Sequence, residues 1–262
     1  MSTLSPARST RTPFATEATF IGRSFIHTLR TPDALIMAIA LPVILMIMFT
    51  FVFGGAIDRS GDYVNYVVPG IILLCAGFGA ASVATDVAND MTTGVIDRFR
   101  SMPIRASAVI TGHVVASLLR NLVATVIVIG VALAVGFRPD AAPLAWLGVL
   151  ALVALYILAI TYLFAGIGLA ASSPEAAGGY GFILMFLPYL SSAFVPVDTM
   201  PGWLQGVSEH QPLTPIIETI RALLMGSPVG DSAGIAVVWC LGILATAVVV
   251  TTLLFVRRSG RR

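Results

Sequence analysis

The sequence contains no lysine. All fifteen basic residues among its 262 are arginine, and this removes two kinds of chemistry. A phosphate-binding P-loop needs its lysine on the nucleotide phosphates, and a Schiff-base catalyst needs a lysine amine; the chain can build neither. Cysteine is nearly as scarce. Cys75 and Cys240 both sit in long apolar runs, which suits small core residues and not a disulfide framework or a zinc site. The three histidines, at 27, 113 and 210, include no pair at metal-ligand spacing, and no HExxH, CxxC or GxSxG motif occurs. A formal charge of +2 is too small to point to a nucleic-acid partner.

Charge of either sign is rare. Only 11% of residues are charged and 57% are hydrophobic, whereas a soluble domain has about 25% charged residues. The composition is that of an all-α integral membrane protein. Six apolar runs, at 34–57, 66–88, 108–137, 142–171, 178–197 and 232–256, reach the ~20 residues that a spanning helix needs, so six transmembrane helices are expected. Pro42, Pro69, Pro188 and Pro196 fall inside these runs, where neighbouring helices can satisfy the carbonyls they free.

Arginine placement sets the orientation. Eleven arginines fall in the N-terminal region, in the loop after the second run and at the C-terminus, against Arg59, Arg138 and Arg221 on the other face. The positive-inside rule then puts both termini in the cytoplasm. Residues 1–13, rich in Ser, Thr and Pro, read as a disordered cytoplasmic tail and not as a signal peptide. Over 14–29, Phe14, Phe20, Ile21, Phe25, Ile26 and Leu29 recur mostly at helical spacing with Arg23, His27 and Arg30 interleaved. That pattern fits an amphipathic helix on the membrane surface, or a helix packed on a soluble partner.

Three further places stand out. Between the second and third runs, Val95, Phe99 and Met102 share a helical face, Asp97, Arg98 and Arg100 lie off it, and Pro103 ends the helix. Such a helix can dock in a groove of a partner or anchor on lipid headgroups. The outer segment 196–231 carries an apolar stripe of Leu213, Ile216, Ile217, Ile220, Leu223 and Leu224, with Thr214-Pro215 as a start signal and Gly226 as a stop. It is expected to form short helices that dip back toward the membrane, leaving Thr219, Glu218 and Arg221 on the polar side, the last two paired at i, i+3. Arg120 lies near the middle of an apolar run and is expected to snorkel, to pair, or to serve transport. Asp86 and Asp90 read as a solvated helix end, and the clusters Gly77-Phe-Gly79, Gly166-Ile-Gly168 and Gly178-Gly179-Tyr-Gly181 as sites of close helix packing.

These features together resemble the ABC-2 permeases of ATP-binding-cassette exporters, in the daunorubicin-resistance-like efflux branch. The likeness rests on the surface helix, the six spans, the loop Gly94-Val-Ile-Asp-Arg-Phe-Arg-Ser-Met-Pro103 and the outer segment Gln211-Pro-Leu-Thr-Pro-Ile-Ile-Glu218-Thr-Ile-Arg221. The resemblance implies a type II exporter-like fold in which residues 14–262 form one transmembrane domain. It implies that 94–103, with Val95, Asp97, Arg98, Phe99, Arg100, Met102 and Pro103, is a cytoplasmic coupling helix for a separate ATPase subunit, which binds the ATP and magnesium; this chain itself binds no cofactor. It also implies short re-entrant helices before the last span, with Ile216, Ile217, Glu218, Ile220 and Arg221 as an outer gate. A substrate cavity between two permease copies, identical or paralogous, makes Phe78, Phe182, Met185, Phe186 and Tyr189 lining residues for a drug, antibiotic or lipid in the cell membrane. A secondary transporter or a structural scaffold without ATP coupling is the alternative. Against the carrier stands the lack of an acid deep in a span.

Overall fold

The computed structural model describes residues 32–58, 61–93 and 107–259. The tail, the surface helix over 14–29 and the coupling segment 94–103 lie outside the described residues. Within them all regular structure is helical. α1 (Pro32–Ile47) runs through one π-helical turn (Met48–Phe53) into the short α2 (Gly54–Ile57). Then come α3 (Tyr63–Thr92), α4 (Ser107–Val135), α5 (Pro143–Ala170), α6 (Pro174–Leu184), α7 (Gly202–His210), α8 (Leu213–Leu224) and α9 (Ser232–Ser259).

Among the described residues five helical stretches are long and apolar enough to cross a membrane: 38–57, 63–92, 110–135, 143–170 and 232–255. They match the first four runs and the last to within a few residues, and Pro42 and Pro69 lie inside their helices without ending them. The run 178–197 is the exception. It is not one spanning helix, because α6 stops at Leu184 and the chain goes on through 3-10 turns at Leu187–Leu190 and Val197–Thr199. At about 1.5 Å per residue, the eleven residues of α6 cover roughly half of the ~30 Å hydrocarbon thickness. The cause is Pro188, which lacks an N–H and whose ring clashes with the carbonyl four residues earlier, that of Leu184.

α3 is the axis of the fold. It packs on α1, α4, α5, α6 and α8, and 78% of its most apolar stretch is buried, against 17% for α9. Small residues make this central position possible. A Cβ at Gly70 would lie 2.6 Å from that of Ala193, and one at Gly79 would overlap the Asn121 amide. Gly178 and Gly179, by contrast, meet nothing within 4 Å, so this part of α6 faces away from the chain. The start of α3, the 136–142 loop and α8 share one end of the bundle: the Asp140 N–H donates to the Leu224 carbonyl at 2.9 Å and the Arg138 N–H to Asn65 Oδ1 at 3.0 Å.

Candidate transport site

Where α6 breaks, backbone carbonyls lose their helical donors. Within a bilayer each unsatisfied group costs several kcal/mol, and side chains from α3, from α8 and from the link between α7 and α8 supply the missing donors. Tyr63 Oη donates to the Phe194 carbonyl at 2.7 Å, Tyr66 Oη to Ser192 at 3.0 Å, and Gln211 Nε2 to Leu190. Arg221 Nη2 also donates to the Ser192 carbonyl, at 2.6 Å, while its Nε reaches the Tyr66 carbonyl at 3.2 Å. The irregular segment is therefore held by named side chains rather than by its own ladder.

α8 presents the expected stripe to the core. Leu213, Ile216, Ile217, Ile220 and Leu224 are buried, Leu223 is partly buried, and Glu218 is exposed. Gly226, at φ +64°, ends the helix, with the Ser227 N–H returning to the Ala222 carbonyl. Two expectations for the polar face fail. Arg221 does not form an ion pair with Glu218; it turns inward to the carbonyls and lies 3.8 Å above the Tyr66 ring. Desolvation lowers the guanidinium from its ordinary value, opposed by Tyr66 and Glu218. Thr219 is buried at the contact with α9, donating to the Pro215 carbonyl at 2.7 Å and lying 3.3 Å from Ser232 Oγ.

The five residues expected along the substrate path separate into two places. Phe182, Phe186 and Tyr189 are exposed, at 60%, 53% and 36%. With three aromatics the sequence reasoning did not select, they form a continuous row. Phe182 meets Phe186 edge-on at 5.1 Å, and Phe186 lies 6.1 Å from Tyr189. Tyr189 stacks on Phe194 at 5.0 Å, Phe194 on Phe49 at 4.2 Å, and Phe49 lies 5.5 Å from Phe53 in the π-helical turn. Phe78 and Met185 instead line a partly open pocket of about 140 Å³ beneath α8.

Residues 18–225 match the ABC-2 type transporter family, nearly four-fifths of the chain. The chain belongs to that family. It is 29% identical over 257 residues to the daunorubicin resistance ABC transporter permease protein DrrB1 of Streptomyces coeruleorubidus, covering 97% of this chain and 90% of that protein. It is 27% identical over 222 residues to the probable doxorubicin resistance ABC transporter permease protein DrrC of Mycobacterium tuberculosis, covering 81% and 78%. To the inner membrane transport permease YadH of Escherichia coli it is 27% identical over 214 residues, covering 76% and 80%. With five long apolar helices among its described residues, this member of the ABC-2 family is a multi-pass membrane protein.

In this ABC-2 protein a polar seam joins α3 to α4, most of it invisible to sequence reasoning. His113 Nε2 lies 2.8 Å from Asp90 Oδ2. Arg120 pairs rather than snorkels: Nη2 donates to Ser82 Oγ at 2.6 Å and to the Gly79 carbonyl at 3.0 Å. Asn121 Nδ2 donates to Ser117 Oγ at 3.1 Å, and Ser117 approaches Thr161 of α5. Asp90 and His113 are 23 positions apart on antiparallel helices, so no local pattern could have paired them. The seam cross-links the two helices that flank the 94–103 segment.

Proposed function

We propose that the chain is the membrane-spanning subunit of an ATP-driven exporter of hydrophobic or amphipathic compounds, a drug, antibiotic or lipid. The observation that carries this reading is the alignment over 97% of the chain with a daunorubicin resistance permease. Two copies, or this chain and a paralogue, enclose the substrate path. The open side of α6, with Gly178 and Gly179 against nothing and Phe182 and Phe186 exposed, supports that arrangement, because small residues allow helices to approach closely. The aromatic row offers stacking surface to a planar substrate and imposes no charge requirement.

In this reading residues 14–262 form one domain after a short tail, and α6 with the irregular segment behind it makes the fifth of six crossings. Both termini are cytoplasmic, as the arginine bias favours, and α7 and α8 lie outside as an outer gate. A separate ATPase subunit holds ATP and magnesium, and the 94–103 helix, with Phe99 and Met102 as anchors, takes up its motion. The seam at Asp90, His113 and Arg120 then transmits that motion to α3 and α4, and alternating access follows.

The test is co-expression with an ATP-binding-cassette ATPase, reading ATP-dependent efflux of an anthracycline from cells. Efflux should appear only with both subunits, and Phe99→Ala should reduce ATPase co-purification and efflux while membrane insertion is unchanged, since a buried aromatic anchor contributes about 2 kcal/mol or more. Efflux that persists with an ATPase unable to hydrolyse ATP would favour the secondary-transporter reading.

A further inference from the structure

The pocket beneath α8 is walled by apolar side chains with one polar exception, the hydroxyl of Tyr156. It lies at mid-length of α3 and α5, beneath α8, and is lined by Gly77, Phe78, Tyr156, Met185, Pro188 and Ile216 among others. Its volume of about 140 Å³ is close to that of the apolar cavity of ~150 Å³ that admits benzene. Tyr156 is only 4% exposed. Its hydroxyl makes no hydrogen bond among the described residues, whereas those of Tyr63 and Tyr66 each donate to a carbonyl. Gly77 opens the space beside it, since even an added Cβ would stand 3.8 Å from Tyr156 Oη.

We infer that this cavity is a binding site for an uncharged molecule with an apolar body of about benzene size and one hydrogen-bond acceptor, such as an aryl ketone, ester or ether. The lining holds no ionised side chain, so a charged ligand would be desolvated without a partner. An acceptor within reach of Tyr156 Oη gives that hydroxyl a partner that no lining side chain supplies, and in apolar surroundings such a bond is strengthened. The remaining walls are Phe, Met, Leu, Ile and Pro side chains, which contact the body of the ligand. Binding here requires neither an ATPase nor a second copy, so it stands apart from the export reading.

The test uses the full chain in lipid nanodiscs with empty nanodiscs as the partition control. Binding of 4'-fluoroacetophenone and of 1-fluoro-4-propylbenzene, similar in size but without an acceptor, is titrated by fluorine NMR. Both should bind saturably, the ketone about two- to tenfold tighter, as one neutral hydrogen bond allows. Tyr156→Phe should bring the two affinities together while keeping both. Gly77→Val should weaken both at least tenfold by filling the space, and Gly77→Ala should do so to a smaller degree if the valine variant does not fold. Equal affinities in the wild type, a ketone preference that survives Tyr156→Phe, or binding that neither Gly77 variant changes would each overturn the assignment.

Discussion

The guanidinium of Arg221 lies 3.8 Å above the ring of Tyr66 while donating to that residue's own carbonyl. A second bond to Ser192 makes Arg221 the link between α8, α3 and the broken fifth run. Arg221→Met should therefore destabilise the chain by about 2–4 kcal/mol, combining charge-assisted hydrogen bonds with a desolvated cation–π contact. Arg221→Lys should recover only part of this, because an ammonium cannot reproduce the planar fork. Thermal unfolding of the purified chain in detergent is the measurement, and a wild-type midpoint for Arg221→Met would contradict the assigned role.

Burial on α8 predicts a different pattern from its sequence periodicity. Ile217 and Thr219 are both buried, so Ile217→Asp and Thr219→Asp should each lose about 3–5 kcal/mol by placing an unpaired carboxylate in the core. Glu218→Gln, on the exposed side, should be nearly silent. Expression level and unfolding midpoint of the three variants in the same membranes decide between the faces; a mild Thr219→Asp would return that residue to the polar side.

The contact between Gly79 and Asn121 can be isolated by a double-mutant cycle. Gly79→Ala should cost about 1–3 kcal/mol through overpacking against the Asn121 amide. In the background of Asn121→Ala the same change should cost much less, and the difference is the coupling. Additive effects would mean that the two side chains do not meet.

Orientation is open to direct labelling because the native cysteines are buried. Ser208 is also buried, so the exposed Trp203 is the better position on α7, and exposed Ser172 serves for the opposite end. With a membrane-impermeant maleimide on intact cells, Trp203→Cys should react and Ser172→Cys should not. The reverse result would invert the topology.

The long helices were legible in the sequence because a bilayer accepts only segments that satisfy their own backbone, and sustained apolarity over ~20 residues signals that. The fifth run misled because hydropathy does not register hydrogen bonding: 178–197 is apolar enough, yet Pro188 removes the ladder. Its signal was present in the proline and the nearby glycines. Arg221 was misplaced for the same reason, since spacing offered Glu218 as a partner while the Ser192 carbonyl in the break and the Tyr66 carbonyl on α3 offered better ones. The aromatic row joins α6 to the π-helical turn across more than a hundred positions of sequence, a long-range relation that no local period encodes.

The way α6 ends also sets where the bundle can yield. A continuous helix resists stretching because its hydrogen bonds lie in series and support one another along the axis. Between Met185 and Pro196 three carbonyls are held from outside the segment, that of Phe194 by Tyr63, that of Leu190 by Gln211 and that of Ser192 by Tyr66 and Arg221 together, so one support can be exchanged while the others stay in place. The mechanical compliance of the molecule is concentrated in this stretch, beside a stiff α3, and a membrane of different thickness or a pull on α8 should be felt there first.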